Sequence, residues 1–167
     1  MYQINDLVLY STHGICKINN ITEKTFTDEP KQYYELVPLR DMRLQIHIPV
    51  GSTKIQMIDL MDETQAHELI AKFKDAKAKE LDRNYFTSEQ YSTIISNSHR
   101  EKMVDLIYTI KKKKLSLEVE NKKLPIVETK ALAHLEGVLY NELTYAMNST
   151  YEIIEQMVEE AMAISTK

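Results

Sequence analysis

The chain has 167 residues, of which 43% are hydrophobic and 28% charged, a composition typical of one or two soluble globular domains. Its apolar stretches are far too short for a transmembrane helix, and we expect no signal peptide from its first residues. The single cysteine, Cys16, excludes an intrachain disulfide and a four-cysteine zinc site, and it fits a cytoplasmic setting.

Charge is distributed unevenly along the chain, although the net charge is only −4. Residues 72–123 hold 13 Lys/Arg against 8 Asp/Glu, a net of +5, whereas residues 124–167 hold 2 against 7, a net of −5. A uniformly acidic protein would argue against nucleic-acid binding. The segregated basic segment keeps that function open.

The first sixty residues are rich in strand-forming residues and turn signals. Residues 43–48 alternate cleanly, with Leu44, Ile46 and Ile48 on one face and His47 on the other. No helical pattern separates the strands, so they favour a small antiparallel sheet or barrel. The five predicted strands are Leu7–Tyr10, one through Ile15, Ile18 and Ile21 after a bend at Gly14, residues 33–37 ending at Pro38, residues 43–48, and residues 54–58.

From about Asp62 the apolar period becomes that of helices, and a proline, Pro125, predicts a break between two of them. Capping patterns at Thr87, Ser98 and residues 149–150 mark three helix starts. The sequence therefore predicts an α+β protein with a β domain over residues 1–61 and a helical domain over residues 62–167. The predicted apolar stripes are Leu69, Ile70 and Phe73; Ile94 and Ile95; Met103, Leu106, Ile107 and Ile110; Leu132, Leu135, Leu139 and Leu143; and Ile153, Ile154, Met157 and Val158.

Catalytic signals are weak. His13 and Cys16 have H-x-x-C spacing, but two ligands do not make a structural zinc site and no third group orients them as base and nucleophile. A turn histidine and a small buried thiol are the favoured interpretation. No nucleophile elbow or glycine-rich phosphate loop is present in the sequence. We therefore predict no enzyme, no metal and no cofactor.

Two segments allow alternative interpretations. The consecutive lysines Lys111, Lys112, Lys113 and Lys114 are either a solvated helix end that complements the helix dipole, or a patch that contacts phosphates. The strand over residues 44–48 is either paired on both sides or a sheet edge available to a strand of another protein.

In their order and spacing, these segments resemble the CarD/CdnL family of bacterial RNA polymerase-binding transcription regulators. Residues 5–18, N-D-L-V-L-Y-S-T-H-G-I-C-K-I, are similar to the family's opening G-D-x-V-V-Y-x-x-H-G-x-G-x-I. Residues 33–36 and 44–50 are similar to its third and fourth strands, and residues 100–107, 122–124 and 139–142 to its helical part. The N-terminal module also resembles the polymerase-interacting domain of transcription-repair coupling factor.

The resemblance implies a Tudor/SH3-like barrel that binds the polymerase β subunit, and a helical domain that binds promoter DNA and modulates open-complex stability. It implies no membrane and no small-molecule substrate as partners. The residues expected to contact polymerase are Leu44, Gln45, Ile46, His47, Ile48 and Pro49. Those expected to contact DNA are Arg83, Tyr85, Phe86, Lys111, Lys112, Lys113, Lys114, Lys122, Lys123 and Lys130. The alternative is a polymerase-bound adaptor whose helical domain binds a protein instead of DNA.

The sequence departs from the family pattern at informative positions. Asn5 and Cys16 stand where the family often has glycine. The chain has no tryptophan, the residue with which the family wedges open the edge of the promoter bubble. Tyr85 and Phe86 are the nearest aromatic substitutes, and the alternative is that both rings pack between helices.

Overall fold

The computed structural model describes residues 1–163 except residues 11 and 55. Within these limits the chain forms two compact units, one built from Met1–Leu60 with Ser96–Ser98 and the other from Met61–Ile95 and the residues from His99 onwards. The predicted α+β class is confirmed, with an N-terminal antiparallel β domain and a C-terminal helical region.

The β domain is a five-stranded antiparallel sheet. Its strands are β1 (Leu7–Tyr10), β2 (Gly14–Lys24), β3 (Lys31–Pro38), β4 (Ile46–Pro49) and β5 (Met57–Asp59), in the order β4-β3-β2-β1-β5. β2 and β3 form the longest ladder, from Cys16 opposite Pro38 to Lys24 opposite Lys31. β4 pairs with β3 on one side, and β5 pairs with β1 on one side, so these two strands are the edges.

One face of the sheet forms an apolar core. Its buried members are Val8, Cys16, Ile18, Tyr34, Leu36 and Ile48, and Ile46 packs against them. The alternation predicted for Ile46 and Ile48 is therefore correct, because both face this core while His47 faces the other way. The imperfect alternation along β2 also has a structural cause, since a register shift between Ile18 and Asn20 interrupts its pairing with β3.

Two backbone positions explain the opening segment. Gly14 has a φ of 72° where β1 turns into β2, so the predicted bend uses glycine's left-handed freedom. Asn5 has a φ of 78°, and asparagine tolerates this region better than most residues. The asparagine thus preserves a conformation that glycine adopts easily. Cys16 instead lies inside β2 with its side chain fully buried, so a glycine there is not needed for the backbone.

The strand predicted over residues 43–48 begins later than expected. The N–H of Leu44 donates to the carbonyl of Asp41 at 3.1 Å, and the Asp41 carboxylate accepts from the N–H of Arg43 at 3.2 Å. This turn holds Leu44 and Gln45 outside the ladder, and β4 starts only at Ile46. Leu44 is consequently exposed and not a core residue. β5 is also shorter than the predicted residues 54–58, and Ile55 of that prediction lies outside the described residues.

In the described part of the chain the helical region contains one short 3-10 turn, Tyr85–Thr87, and five α-helices. The helices are α1 (Glu63–Asp75), α2 (Glu89–Ser96), α3 (Arg100–Val119), α4 (Ile126–Ala146) and α5 (Tyr151–Ala161). The predicted apolar stripes of α1, α3 and α4 are buried, and the break at Pro125 separates α3 from α4. None of the described helices has the length and apolar character that a membrane span requires.

Two of the predicted capping patterns are wrong in detail. Thr87 belongs to the 3-10 turn, and it is the Ser88 hydroxyl that accepts from the N–H of Tyr91 at 3.2 Å in the first turn of α2. Ser98 has a φ of 49°, so α3 begins after it, with His99 as an N-cap residue whose side chain makes no capping hydrogen bond. The cap predicted at residues 149–150 is formed by Thr150, which accepts from the N–H of Ile153.

A buried ion pair joins three parts of the helical region. The Glu142 carboxylate is fully buried and accepts from Arg100 Nε at 2.9 Å and Nη2 at 2.5 Å. It also accepts from the N–H of Met61 at 2.9 Å. These bonds compensate the cost of burying the carboxylate and connect the start of α3, the C-terminal part of α4 and the residue that precedes the α1 cap.

Candidate functional site

The edge strand β4 directs part of its backbone N–H and C=O groups away from β3, on its outer side. The N–H of Val50 donates to the carbonyl of Gln32 at 2.9 Å, which fixes the alternation of the ladder. By this alternation, Ile46 and Ile48 exchange hydrogen bonds with β3, whereas the N–H and C=O of His47 point away from it. Pro49 lies two residues from His47, so an N–H at this position would also point away from β3. The missing N–H of Pro49 therefore removes no hydrogen bond between β4 and β3.

The opposite edge, β5, is less available. It has three residues against four in β4. The carbonyl of Met57 already accepts a hydrogen bond from the Tyr2 hydroxyl at 3.2 Å. The β4 edge is thus the better template for an additional strand.

Beside the β4 edge lies a cluster of aromatic and charged side chains that we name the outer patch: Lys24, Phe26, Tyr33, Glu35 and His47. Lys24 Nζ lies 2.6 Å from His47 Nε2. Glu35 Oε2 lies 3.7 Å from the same nitrogen. The Phe26 ring, 61% exposed, packs edge-on against Tyr33 with centroids 5.0 Å apart.

Sequence analysis identified His47 in this patch and missed Lys24 and Phe26. Lys24 Nζ also lies 5.8 Å from the Phe26 ring centroid, and that ring lies 5.8 Å from the His47 ring. These residues come together only because β2, β3 and β4 pair in this register. The run of strand residues contained no signal for that pairing, since register is set by non-local contacts.

A cavity of about 240 Å³ lies between the two edge strands. Ile48 and Pro49 of β4, Met57 of β5 and the aromatic rings of Tyr2 and Tyr34 line it. It has the position and the apolar walls to receive a side chain from a strand added at the β4 edge.

The lysine run lies within α3 and not at its end. The helix continues to Val119, and its last turn contains no basic residue, so the helix-dipole explanation is wrong for this run. Lys111 is largely buried and forms ion pairs with Glu136 at 3.0 Å and Glu159 at 3.9 Å.

The other lysines of the run differ in their surroundings. Lys113 pairs with Glu128 at 2.6 Å, and Lys112 Nζ lies 5.5 Å from the Tyr108 ring centroid. Lys114 is exposed, and in the described part of the chain it forms no ion pair. The four lysines of the run therefore lie in different environments and do not form one patch.

The remaining predicted cations lie on the surface. Lys122 is exposed and pairs with Glu120 at 2.7 Å in the connection between α3 and α4. Arg83, Lys123 and Lys130 are exposed, and within the described residues no ion pair holds them. Together with Lys114 they are the predicted DNA-contacting cations with the greatest freedom to meet a phosphate.

The two candidate wedge aromatics have different exposures. Tyr85 is buried, whereas Phe86 is half-buried. The Phe86 ring packs edge-on against both Tyr85 and Tyr91, with centroid distances of 5.4 and 5.2 Å. Burial raises the pKa of Tyr91 to about 12 and also raises that of Tyr85. The three rings form a cluster around the 3-10 turn.

His13 and Cys16 are not brought together as a reactive pair. The His13 ring stacks on Tyr10 and its Nδ1 lies 2.8 Å from the Thr12 hydroxyl. Cys16 is fully buried in the sheet core, and burial raises the pKa of its thiol to about 12, so it is protonated at neutral pH. Among the described residues no group of three or more His, Cys, Asp or Glu is placed to hold a metal ion.

The β domain matches a known family model. Residues 2–59 match the CarD-like/TRCF RID domain, a protein-interaction domain and not a catalytic one. No curated protein matches the chain. The match covers all five strands, including the β4 edge and the outer patch. It indicates a transcription-related protein that interacts with RNA polymerase, and it confirms the resemblance of the opening segment. The chain therefore carries a CarD-like/TRCF RID domain at residues 2–59.

Proposed function

We propose that the protein is a bacterial, cytoplasmic transcription regulator without enzymatic activity. In this proposal residues 1–61 bind the RNA polymerase β subunit, residues 62–167 bind promoter DNA, and the two contacts together modulate the stability of the open complex. The observation that carries the proposal is the CarD-like/TRCF RID match over the β domain.

The β4 edge supports a polymerase contact made by strand addition. An incoming strand would bond the outward N–H and C=O of His47, and one of its side chains would enter the cavity beside Ile48. Pro49 ends the strand, while the exposed Leu44 and Gln45 border it on the other side. The outer patch would supply the side-chain contacts that distinguish the β subunit from other exposed edges.

Effects on the open complex follow from differential binding. A factor that holds polymerase and the melted promoter together stabilises that state by the difference between its affinities for open and closed complexes. A tenfold shift needs only about 1.4 kcal/mol. Arg83, Lys114, Lys123 and Lys130 are exposed, and contacts from a few such cations to phosphates suffice.

If an aromatic side chain wedges a base step, Phe86 is better placed for it than Tyr85, because its ring is more exposed. Phe86→Ala should then shorten the lifetime of open complexes while lowering the melting temperature little. Tyr85→Ala should lower the melting temperature markedly, as loss of a buried aromatic costs about 3–5 kcal/mol. Equal open-complex lifetimes for Phe86→Ala and the parent would remove the wedge from this account.

The experiment that tests the proposal measures retention of core RNA polymerase by the immobilised full chain, and the lifetime of promoter complexes challenged with heparin. His47→Glu places a second carboxylate beside Glu35 and should weaken retention about tenfold. Gln3→Glu adds the same charge at an exposed site outside β4 and is the matched control. Equal retention of both variants would contradict the assigned surface.

The adaptor alternative is favoured by a separate observation. Val119, Ile126 and Val127 are exposed aliphatic side chains at the connection between α3 and α4, beside Lys122 and Lys123. Contacts to phosphates do not bury aliphatic side chains. A partner protein with an apolar patch would bury them, and an acidic rim on that partner would meet the two lysines. If the full chain does not bind a promoter duplex even at low salt, that result would favour this alternative. Binding that weakens steadily with salt would favour DNA.

A further inference from the structure

A second cavity, of about 270 Å³, lies within the helical region. Its walls come from the segment after α1, the middle of α3 and the first turn of α4. Lys79, Lys112 and Lys113 line it, together with the single carboxylate of Glu128. Counting Asp105, which pairs with Lys79, the cavity region holds three ammonium groups against two carboxylates, so it has a net positive charge in a chain whose net charge is −4.

The cations of this cavity are positioned before any ligand arrives. Lys79 Nζ lies 2.9 Å from Asp105 Oδ2, and Lys113 Nζ lies 2.6 Å from Glu128 Oε1. Lys112 Nζ lies over the Tyr108 ring. Side chains that are already restrained lose less conformational entropy when they bind an anion.

The wall formed by the segment after α1 is anchored to α3 by Thr109. The N–H of Lys79 donates to the Thr109 hydroxyl at 3.0 Å, and that hydroxyl donates to the carbonyl of Asp105 at 2.7 Å. The Thr109 side chain is buried and therefore fixes the distance between the two walls. The cavity is a property of the folded region and needs no induced closure.

The chemistry of the walls indicates the class of ligand. Ala78, Leu81 and Ile110 supply an apolar wall, and Ser116 contributes a hydroxyl beside the lysines. Apolar walls with a few convergent cations suit an organic anion that carries its charge at one end. A phosphoryl group meets this requirement, because its oxygens accept several hydrogen bonds at once and its charge exceeds one.

We propose that this cavity binds a phosphoryl group, carried either by a small organic phosphate such as a nucleotide or by the nucleic-acid backbone. If the backbone carries it, the inference rests on the proposed DNA binding. If a free organic phosphate carries it, the site is a ligand site independent of DNA.

The test uses the full chain, AMP and pyrophosphate as small probes, and a promoter duplex as the nucleic-acid probe, each measured by calorimetric titration. Lys112→Gln removes one cation from the cavity and should lower the affinity for the probe about tenfold. Lys102→Gln removes an exposed cation in the same helix that neither lines the cavity nor belongs to the predicted DNA contacts, and it is the matched control. Melting temperatures of both variants verify that the helical region is intact.

The outcomes separate this inference from the proposed function. AMP or pyrophosphate binding that depends on Lys112 and not on Lys102 supports the cavity, whether or not the duplex binds. Duplex binding with the same dependence assigns the phosphoryl group to the backbone. Duplex binding that both variants retain, with no small probe bound at millimolar concentration, overturns the cavity proposal and leaves DNA binding standing. Absence of binding by every probe overturns both.

Discussion

The β domain and the helical region present their candidate binding groups in opposite ways. At the β4 edge the unused groups are backbone N–H and C=O groups that the sheet itself leaves outward. In α3, two of the four consecutive lysines, Lys111 and Lys113, already form ion pairs with carboxylates of α4 and α5. A run of like charges therefore overstates the number of cations that are free to bind, whereas an edge strand is not visible in composition at all.

The difference also concerns what each interaction contributes to folding. Lys111 is 12% exposed and connects three helices, so its ion pairs belong to the helical core as much as to any surface. Fully exposed pairs contribute little to stability. The first predictions test this contrast between buried and exposed groups.

The largest effect is expected for Arg100→Met, which leaves the buried Glu142 carboxylate without its partner. Breaking a buried pair by removing one member costs about 3–5 kcal/mol. Lys72→Met breaks the exposed pair with Glu101 and should cost less than about 1 kcal/mol. Urea denaturation of both variants measures the two costs. Similar losses for the two variants would contradict the assigned role of burial.

A smaller effect is expected in the β domain for Ile48→Ala. Ile48 is 1% exposed in the sheet core, and its truncation should reduce the free energy of unfolding by about 2–4 kcal/mol. Leu44→Ala, in the preceding turn, should change it by less than about 0.5 kcal/mol. A large loss for Leu44→Ala would show that Leu44 belongs to the core after all.

The alkaline pH dependence of stability tests the burial of Cys16. Its thiol has a pKa of about 12 in the folded protein, raised by burial, against about 8.5 in an unfolded chain. Above the unfolded value the unfolded state binds fewer protons, so stability falls as pH rises, by up to about 1.4 kcal/mol per pH unit. Between pH 9 and 10, about one unit above the unfolded value, Cys16→Ala should remove this slope. An unchanged slope would contradict a buried, protonated thiol.

The smallest effect concerns the salt dependence of DNA binding. Lys114→Gln and Lys130→Gln, both at exposed positions, should each reduce the logarithmic salt slope by about 1 if they contact phosphates. Lys111→Gln should instead lower the melting temperature and leave the slope unchanged, since its ammonium is already paired. A reduced slope in Lys111→Gln would show that its ion pairs open on binding.

Local pattern predicted most of the fold. Alternation identified the core positions Ile46 and Ile48, and the 3.6-residue period identified the buried stripes of α1, α3 and α4. The start of β4 was missed because the turn at Asp41 uses a side-chain bond that alternation does not reveal.

The candidate sites were only partly predictable. The resemblance predicted a contact surface at residues 44–49, but the edge position of β4 depends on the order of all five strands. Lys24 lies 23 residues from His47 in sequence, and Lys111 lies 25 from Glu136, so neither pairing has a local signal. Such contacts follow from tertiary packing, which a single sequence does not display.

The central claim is that the backbone of the β4 edge binds RNA polymerase, and a proline variant tests it most directly. His47→Pro removes the outward N–H without disturbing the bonds between β4 and β3, while His47→Ala removes the same side chain and keeps the N–H. We predict that the full chain with His47→Pro binds core polymerase about tenfold more weakly than the chain with His47→Ala. Equal affinities, with both variants folded, would contradict strand addition at this edge.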